Sequence, residues 1–583
     1  MLPYMTDITS KKAKQICVFQ GINQNKVTND NELVKSVNMC SEDYPVLSVA
    51  KSFENHITTD NNINGALSYN GLFYTAFCES ENKLYAYHKD DSVLISENAT
   101  DGKRFFAGMS DNILIMPDKI LYQVSSKTAK PLTHTQSFDI DCAIDRANTE
   151  MPGISSTVPK GVAVITSSYI DTNSLTYGVY SSYMFCPENI KENEFVFVKM
   201  KITTTDTQKD KQYADLISTL EKGIFIKVTR LVSYEHNTLN GNITQVSTIH
   251  FEGAVNIDDN DKMYVTDITI EKRIPDFSHI CTYGNRMWGV ENNSIRCSLL
   301  GDCTVWEDFS ADAFGTLPSS CFSLEVDSGG EFTAICEYNG NIMAFKENCI
   351  HKIYGNQPEN YTLHTQSVKG VEKGAHNTLI NINGILYYKG IDGFYKYSGG
   401  VPVCISQKID NSYKAICSAT DGNNYYTIVE RDGKKEILTY DTTHEIWHTM
   451  SAEDAHMLLY FENSVALINK HSIKKLGLQA KDNTKWKFEF EFDENTFCKK
   501  RYMRLLFDYA LRKNGYFKIT AIYDDNHVLN FTSGDYIVSP NGESIINLPF
   551  VKCKKINIIF EGKGDFTLKK LTREYILLKE GGK

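Results

Sequence analysis

A chain of 583 residues with 42% hydrophobic and 11% aromatic side chains has room for two to four domains, so core size does not limit its stability. Its 33 Tyr and 30 Phe favour strands, and 13 Pro without a Pro- or Ser-rich run leave no long flexible linker. A formal net charge of −11 runs against a protein that grips nucleic acid through its phosphates, and no apolar run reaches the roughly 18 residues a membrane-spanning helix needs.

Residues 1–60 read as an extended arm with short strands, placed to close a ring of sheets or to reach a neighbouring subunit. From 61 to 132 a phrase appears twice: an Asn-led turn, an apolar strand, a second turn and a partner strand. Asn70 precedes Leu72-Phe73-Tyr74, answered by Leu84 to Tyr87, and Asn112 precedes Ile113-Leu114-Ile115, answered by Ile120-Leu121-Tyr122. Asn and Gly supply the positive φ of two-residue hairpin turns, and branched and aromatic residues suit a pleated surface.

Between 133 and 275 the rhythm breaks. Asp210 to Leu220 places Tyr213, Leu216, Ile217 and Leu220 at helical spacing, with Gly223 as a stop. Strands at Glu194 to Val198, Ile224 to Val228 and Thr244 to Ile249 surround it, which predicts an inserted, β-rich α+β domain.

The phrase returns from 276 to 480, led by Asn285, Asn339, Asn383, Asn423 and Asn463, and is clearest at Asn383-Gly384 through Tyr397. Successive lead asparagines are 42, 173, 54, 44, 40 and 40 residues apart. A period of roughly 40 to 45 residues, each carrying several short antiparallel strands, is the length of a propeller blade. The expectation is therefore all-β: a β-propeller of about seven blades, two before the insertion and five after it. From 481 to 583, Trp486 to Phe492 sets aromatics on one face and charges on the other. Further strands at 516–519, 545–548 and 555–560 predict a C-terminal β-sandwich.

No residue set marks catalysis, a cofactor or a metal. P-loop, dinucleotide, HExxH and Gly-x-Ser-x-Gly patterns are missing from the sequence. Ile257-Asp258-Asp259-Asn260-Asp261 lacks the sixth-position Gly and closing Glu of an EF-hand and reads as a solvated acidic turn. His444 and His448 would share one face of an alternating strand near Glu445, but no third ligand accompanies them, and hairpin polar positions account for both. The 15 cysteines include no Cys-x-x-Cys, many lie within strand runs, and Met1-Leu2-Pro3-Tyr4 opens no secretory signal, so reduced thiols in a cytosol are expected.

Six phrases, in order, resemble a family of tailed-bacteriophage virion proteins from phages of low-GC Gram-positive bacteria, variously called stabilisation, tail-hub or nozzle-like proteins. They are Asp43 to Ser48, Tyr283 to Gly289, Leu300 to Trp306, Ile350 to Pro358, Gly384 to Tyr397 with Gly399-Gly400, and Phe560 to Phe566. The likeness covers most of the chain outside 133–275. It implies a structural part of the tail or neck, not an enzyme, made in the host bacterial cytoplasm and resident in the virion. Its partners would be portal or adaptor and other tail components, with copies, often six, forming a homo-oligomeric ring around the DNA exit path. Genomic DNA would pass an acidic lumen without specific binding, and nothing would insert in a membrane. The alternatives are a receptor- or glycan-binding tail appendage and, further off, a polysaccharide-degrading enzyme with a carboxylate pair in the channel.

Overall fold

The computed structural model describes residues 11–578 except 90, 139–141, 147–161, 167–194, 203–210, 238–242, 253–261, 310–318, 453, 513, 525–530, 533–536 and 538–540. The chain is nearly all β and divides into two units, one of residues 1–104, 329–353 and 363–583, the other of 105–328 and 354–362.

The second unit holds two four-stranded antiparallel sheets whose neighbouring strands are consecutive in the chain. One runs from Phe105–Met109 to Thr128–Pro131 and the other from His279–Tyr283 to Phe322–Glu325. Between them in sequence lies a seven-stranded sheet spanning His134–Phe138 to Lys262–Lys272, and its 139-residue stretch produces the long step in the asparagine spacing. The expected helix is present as Ala214–Lys222 and packs on the strand Phe195–Ile202. Gly223 stops it at φ 98°, with its N–H on the Thr219 carbonyl. A Cβ there would stand 2.2 Å from the Phe197 ring, so both backbone and packing require glycine.

The first unit holds five more four-stranded sheets. They run from Asn62–Ser68 to Asp91–Ser96, Ala334–Tyr338 to Thr362–Gln366, Ile380–Ile382 to Val403–Cys404, Lys414–Thr420 to Ile446–Ser451, and Met457–Phe461 to Ser472–Leu476. The last has three consecutive strands and takes its fourth, Phe53–Thr58, from the amino-terminal segment, with Ser472 opposite Thr58 and Leu476 opposite Phe53.

All seven lead asparagines fall at the first hairpin of a four-stranded sheet. Asn70, Asn285, Asn339, Asn383 and Asn463 have φ between 48° and 60°. At the other two corners the positive φ sits one or two residues earlier, on Ser110 and Gly422. The 54-residue step has its excess between the strands Ser294–Cys297 and Phe322–Glu325.

Two larger sheets complete the first unit. A five-stranded sheet orders Lys35–Val37, Lys485–Phe492, Ile556–Lys563, Tyr516–Tyr523 and Phe531–Thr532. A six-stranded sheet orders Met39–Cys40, Leu47–Val49, Phe566–Leu577, Lys500–Leu511 and Asn541–Asn547, with Lys12–Ile16 also on Phe566–Leu577. The alternation in Lys485–Phe492 buries Trp486, Phe488, Phe490 and Phe492 completely or nearly so. Phe507 of the six-stranded sheet meets Phe517 and Phe560 of the five-stranded one edge-on, with centroids 6.1 and 5.7 Å away, so one aromatic core joins the two sheets.

The amino-terminal segment is therefore a contributor to both large sheets, and a buried ion network fixes it there. Arg573 and Glu494 are each 1% exposed and form two bonds of 2.5 and 3.1 Å. Arg573 also reaches Asp30 at 2.7 Å, and Lys14 reaches Glu494 at 2.9 Å. Replacing Arg573 by Met leaves the buried Glu494 carboxylate with Lys14 as its cation and should cost about 3 kcal/mol, read as a fall in the urea midpoint. The double variant Arg573→Met, Glu494→Leu should recover most of that; strictly additive losses would contradict the coupling.

Candidate functional site

The residues with most chemical potential gather where the amino-terminal segment crosses Ile446–Ser451, the outer strand of its sheet. The crossing is backbone-led: Ile22 N–H donates to the Trp447 carbonyl and Asn38 N–H to that of Thr449, both at 2.8 Å. Asn38 Oδ1 accepts from Ser451 N–H at 2.8 Å, so the segment covers a sheet edge that would otherwise stay open. Gly21, at φ 37°, lets the chains approach; a Cβ there would lie 2.3 Å from the Trp447 carbonyl oxygen.

Asp441 organises the polar part. Its Oδ2 accepts from Ser41 Oγ at 2.8 Å and lies 2.8 Å from His444 Nδ1. Its Oδ1 accepts the N–H groups of Thr443 and His444 at 2.9 and 3.0 Å. The His444 ring stacks on Tyr44, with centroids 4.1 Å apart. Burial alone would raise the Asp441 carboxyl, but the His444, Ser41 and Thr443 bonds together hold it below the usual carboxylate range.

His448 does not join His444. The sequence placed the two on one strand face, whereas residues 442–445 form a turn and the strand starts at Ile446. Asp441 causes this by capturing the two N–H groups ahead of it, an Asx-type turn. His448 is 2% exposed, and neither ring nitrogen has a partner among the described residues. It lines a cavity of about 40 Å³ with Cys40, Ser41, Tyr426, Thr439, Asp441 and others.

The chemistry available here is that of a clasp. Asp441 has about four lone-pair sites, and four donors fill them, so it is no free base. The Ser41 hydroxyl donates to a carboxylate whose proton affinity is lowered by its other bonds, so Asp441 is a weak base toward it. Among the described residues no cluster of three or more His, Cys, Asp or Glu could hold a metal, and Ile257 to Asp261 lies outside those residues. Sequence reasoning missed Asp441 and Ser41. The Asp-Thr-Thr-His order was a signal for the first, and Ser41 had none.

No family model and no curated protein matches this chain. Solved structures similar to it include the extracellular domain of a hybrid two-component system from B. thetaiotaomicron, at 10% identity and TM-score 0.21 over 86% of this chain and 94% of that one. An exo-β-1,3-galactanase from Phanerochaete chrysosporium aligns at 7% identity and TM-score 0.21 over 95% and 100%. Hsv2 of Kluyveromyces lactis aligns at 9% identity and TM-score 0.24 over 67% and 97%.

Burial brings the His448 imidazole down to about 4, against a partial counter-effect of the Asp441 charge. A ring neutral when folded and titrating near 6.5 when unfolded favours the native state fully above that value. The advantage is lost as pH falls from about 6.5 to 4, by about 3 kcal/mol. His456 and His351 are likewise lowered to about 4 by burial. His448→Gln should flatten the stability–pH slope between 4 and 6.5 by one proton's share in urea unfolding at stepped pH; an unchanged slope would refute the assignment.

Proposed function

We propose that this chain is a structural component of a bacteriophage tail or neck, built as a seven-bladed β-propeller with an inserted domain and a β-sandwich that the amino-terminal segment completes. One observation carries the architecture. Seven four-stranded sheets repeat one strand order, and the fourth strand of the last comes from Phe53–Thr58, directly ahead of the first sheet at Asn62. This supports a ring of blades, in which a shared strand ties the end of the ring to its beginning and leaves only short edges.

The virion assignment draws on the six ordered phrases that resemble the phage family. A body so tied suits a mechanical part, arranged as a homo-oligomeric ring with portal, adaptor or tail proteins as neighbours. The net charge of −11 supports a lumen that repels phosphate, so DNA slides without being held.

Electron microscopy of the purified chain, and of particles carrying a labelled copy, tests this. Closed rings, expected as hexamers, and a label in the tail or neck are the expected result, with duplex DNA unretained at about 150 mM salt. A monomer that cleaves bacterial surface polysaccharide, or a peripheral label with glycan retention, would overturn it for the enzyme or adhesin reading.

A further inference from the structure

The end of the two large sheets where Lys485–Phe492 finishes and Lys500–Leu511 begins carries two bare aromatic side chains. Phe497 is 98% exposed and Phe550 is 77% exposed. They belong to separate loops that are fastened together. Lys500 N–H donates to the Cys553 carbonyl at 2.7 Å, and Cys553 N–H returns the bond at 3.0 Å. The fully buried Lys500 ammonium then donates to the carbonyls of Thr496 and Lys554, at 2.7 and 2.6 Å. One cation thus holds the backbone beside both loop tips, and the rings stand on a preorganised platform.

Cations flank them in the chain. Lys499, Lys552 and Lys554 are exposed, and the Arg501 guanidinium lies 5.5 Å from the Phe550 ring centre. Of the nearby described carboxylates, Glu494 is paired with Arg573 and Lys14 and Glu491 with Lys555, while Asp524 accepts the N–H groups of Lys554 and Lys555 and keeps its charge. Asp493 is exposed and carries no ion-pair partner among the described residues. Residues 491–501, 524 and 550–555 together hold six Lys and Arg against four Asp and Glu, in a chain of net charge −11.

We propose that this end docks on an anionic lipid bilayer, with Phe497 and Phe550 entering the acyl boundary and the four cations meeting headgroup phosphates. Exposed phenyl rings, each with an exposed lysine two residues along the chain, fit an interface that is apolar below and negative above. Duplex DNA would engage the lysines and leave both rings in water. A protein partner would need a cleft shaped for each ring, which a fluid bilayer does not. The inference stands apart from the virion reading, since vesicle binding does not depend on where the chain assembles.

Co-sedimentation of the full chain with vesicles of phosphatidylglycerol in phosphatidylcholine, against phosphatidylcholine alone, tests it. Binding should be at least about tenfold stronger to the anionic vesicles. Phe497→Ser with Phe550→Ser should lower it by about tenfold per ring. Lys499→Glu, Lys552→Glu and Lys554→Glu should each cost about fivefold or more. All these side chains are exposed, so thermal unfolding should be unchanged, which separates lost binding from lost fold. Equal binding to both vesicle types, or binding indifferent to the phenyl rings, would overturn the proposal. So would duplex DNA retention that depends on the lysines alone, or self-association that vanishes with the two rings.

Discussion

A guanidinium with almost no access to water has to be answered by carboxylates, and Arg573 is answered from two distant parts of the chain. Glu494 comes from the loop after Lys485–Phe492 and Asp30 from the amino-terminal segment, while the guanidinium also lies over Phe492, 4.1 Å from its centroid. Burying such a group adds little net stability, because desolvation opposes the Coulomb gain. Its effect is on alternatives: with the amino-terminal segment displaced, Arg573 and Glu494 lose Asp30 and Lys14. Arg573 also sits on the strand Phe566–Leu577, which pairs with Lys12–Ile16, Leu47–Val49 and Lys500–Leu511. One strand thus collects both ends of the chain, and the ion network penalises other placements.

The repeats were legible because their signals are local. A hairpin corner depends on two or three residues, and Asn or Gly at positive φ is cheap wherever it occurs, so the spacing of asparagines tracked the first hairpin of every four-stranded sheet. Even where Ser110 or Gly422 takes the positive φ, the asparagine stays within the corner or opens the next strand. The aromatic alternation of Trp486 to Phe492 was legible for the same reason, since a period of two declares a buried face.

Pairing between distant segments was not legible. Lys35–Val37 lies opposite Lys487 to Glu489, and Lys12–Ile16 opposite Leu571 to Tyr575. Three- and five-residue strands with ordinary composition do not announce such partners, so the segment read as an arm. The clasp was half visible. His444 and His448 drew attention as residue types, but their separation depended on Asp441 turning the chain, and Ser41 completes that carboxylate from 400 positions away. The Phe497 and Phe550 platform escaped because isolated phenylalanines in a strand-rich sequence look like core until burial is known.

The junction between the last four-stranded sheet and the two large sheets follows from the same long-range pairing. A single linker would make it a hinge, but two segments cross there side by side. Ser52 N–H donates to the Gln479 carbonyl at 3.3 Å, and Gly477 N–H to the Ser52 carbonyl at 2.9 Å. Lys481 reaches the Phe53 carbonyl at 3.0 Å, and the Ser52 and Thr484 hydroxyls bond directly. A paired ribbon resists bending and shear as one connection cannot, because moving either segment breaks bonds to the other. The same strand that completes the last four-stranded sheet leads, through Ser52, into the segment held by Arg573 and Asp441. Displacing the large sheets from the smaller one therefore means breaking backbone bonds on both segments at once.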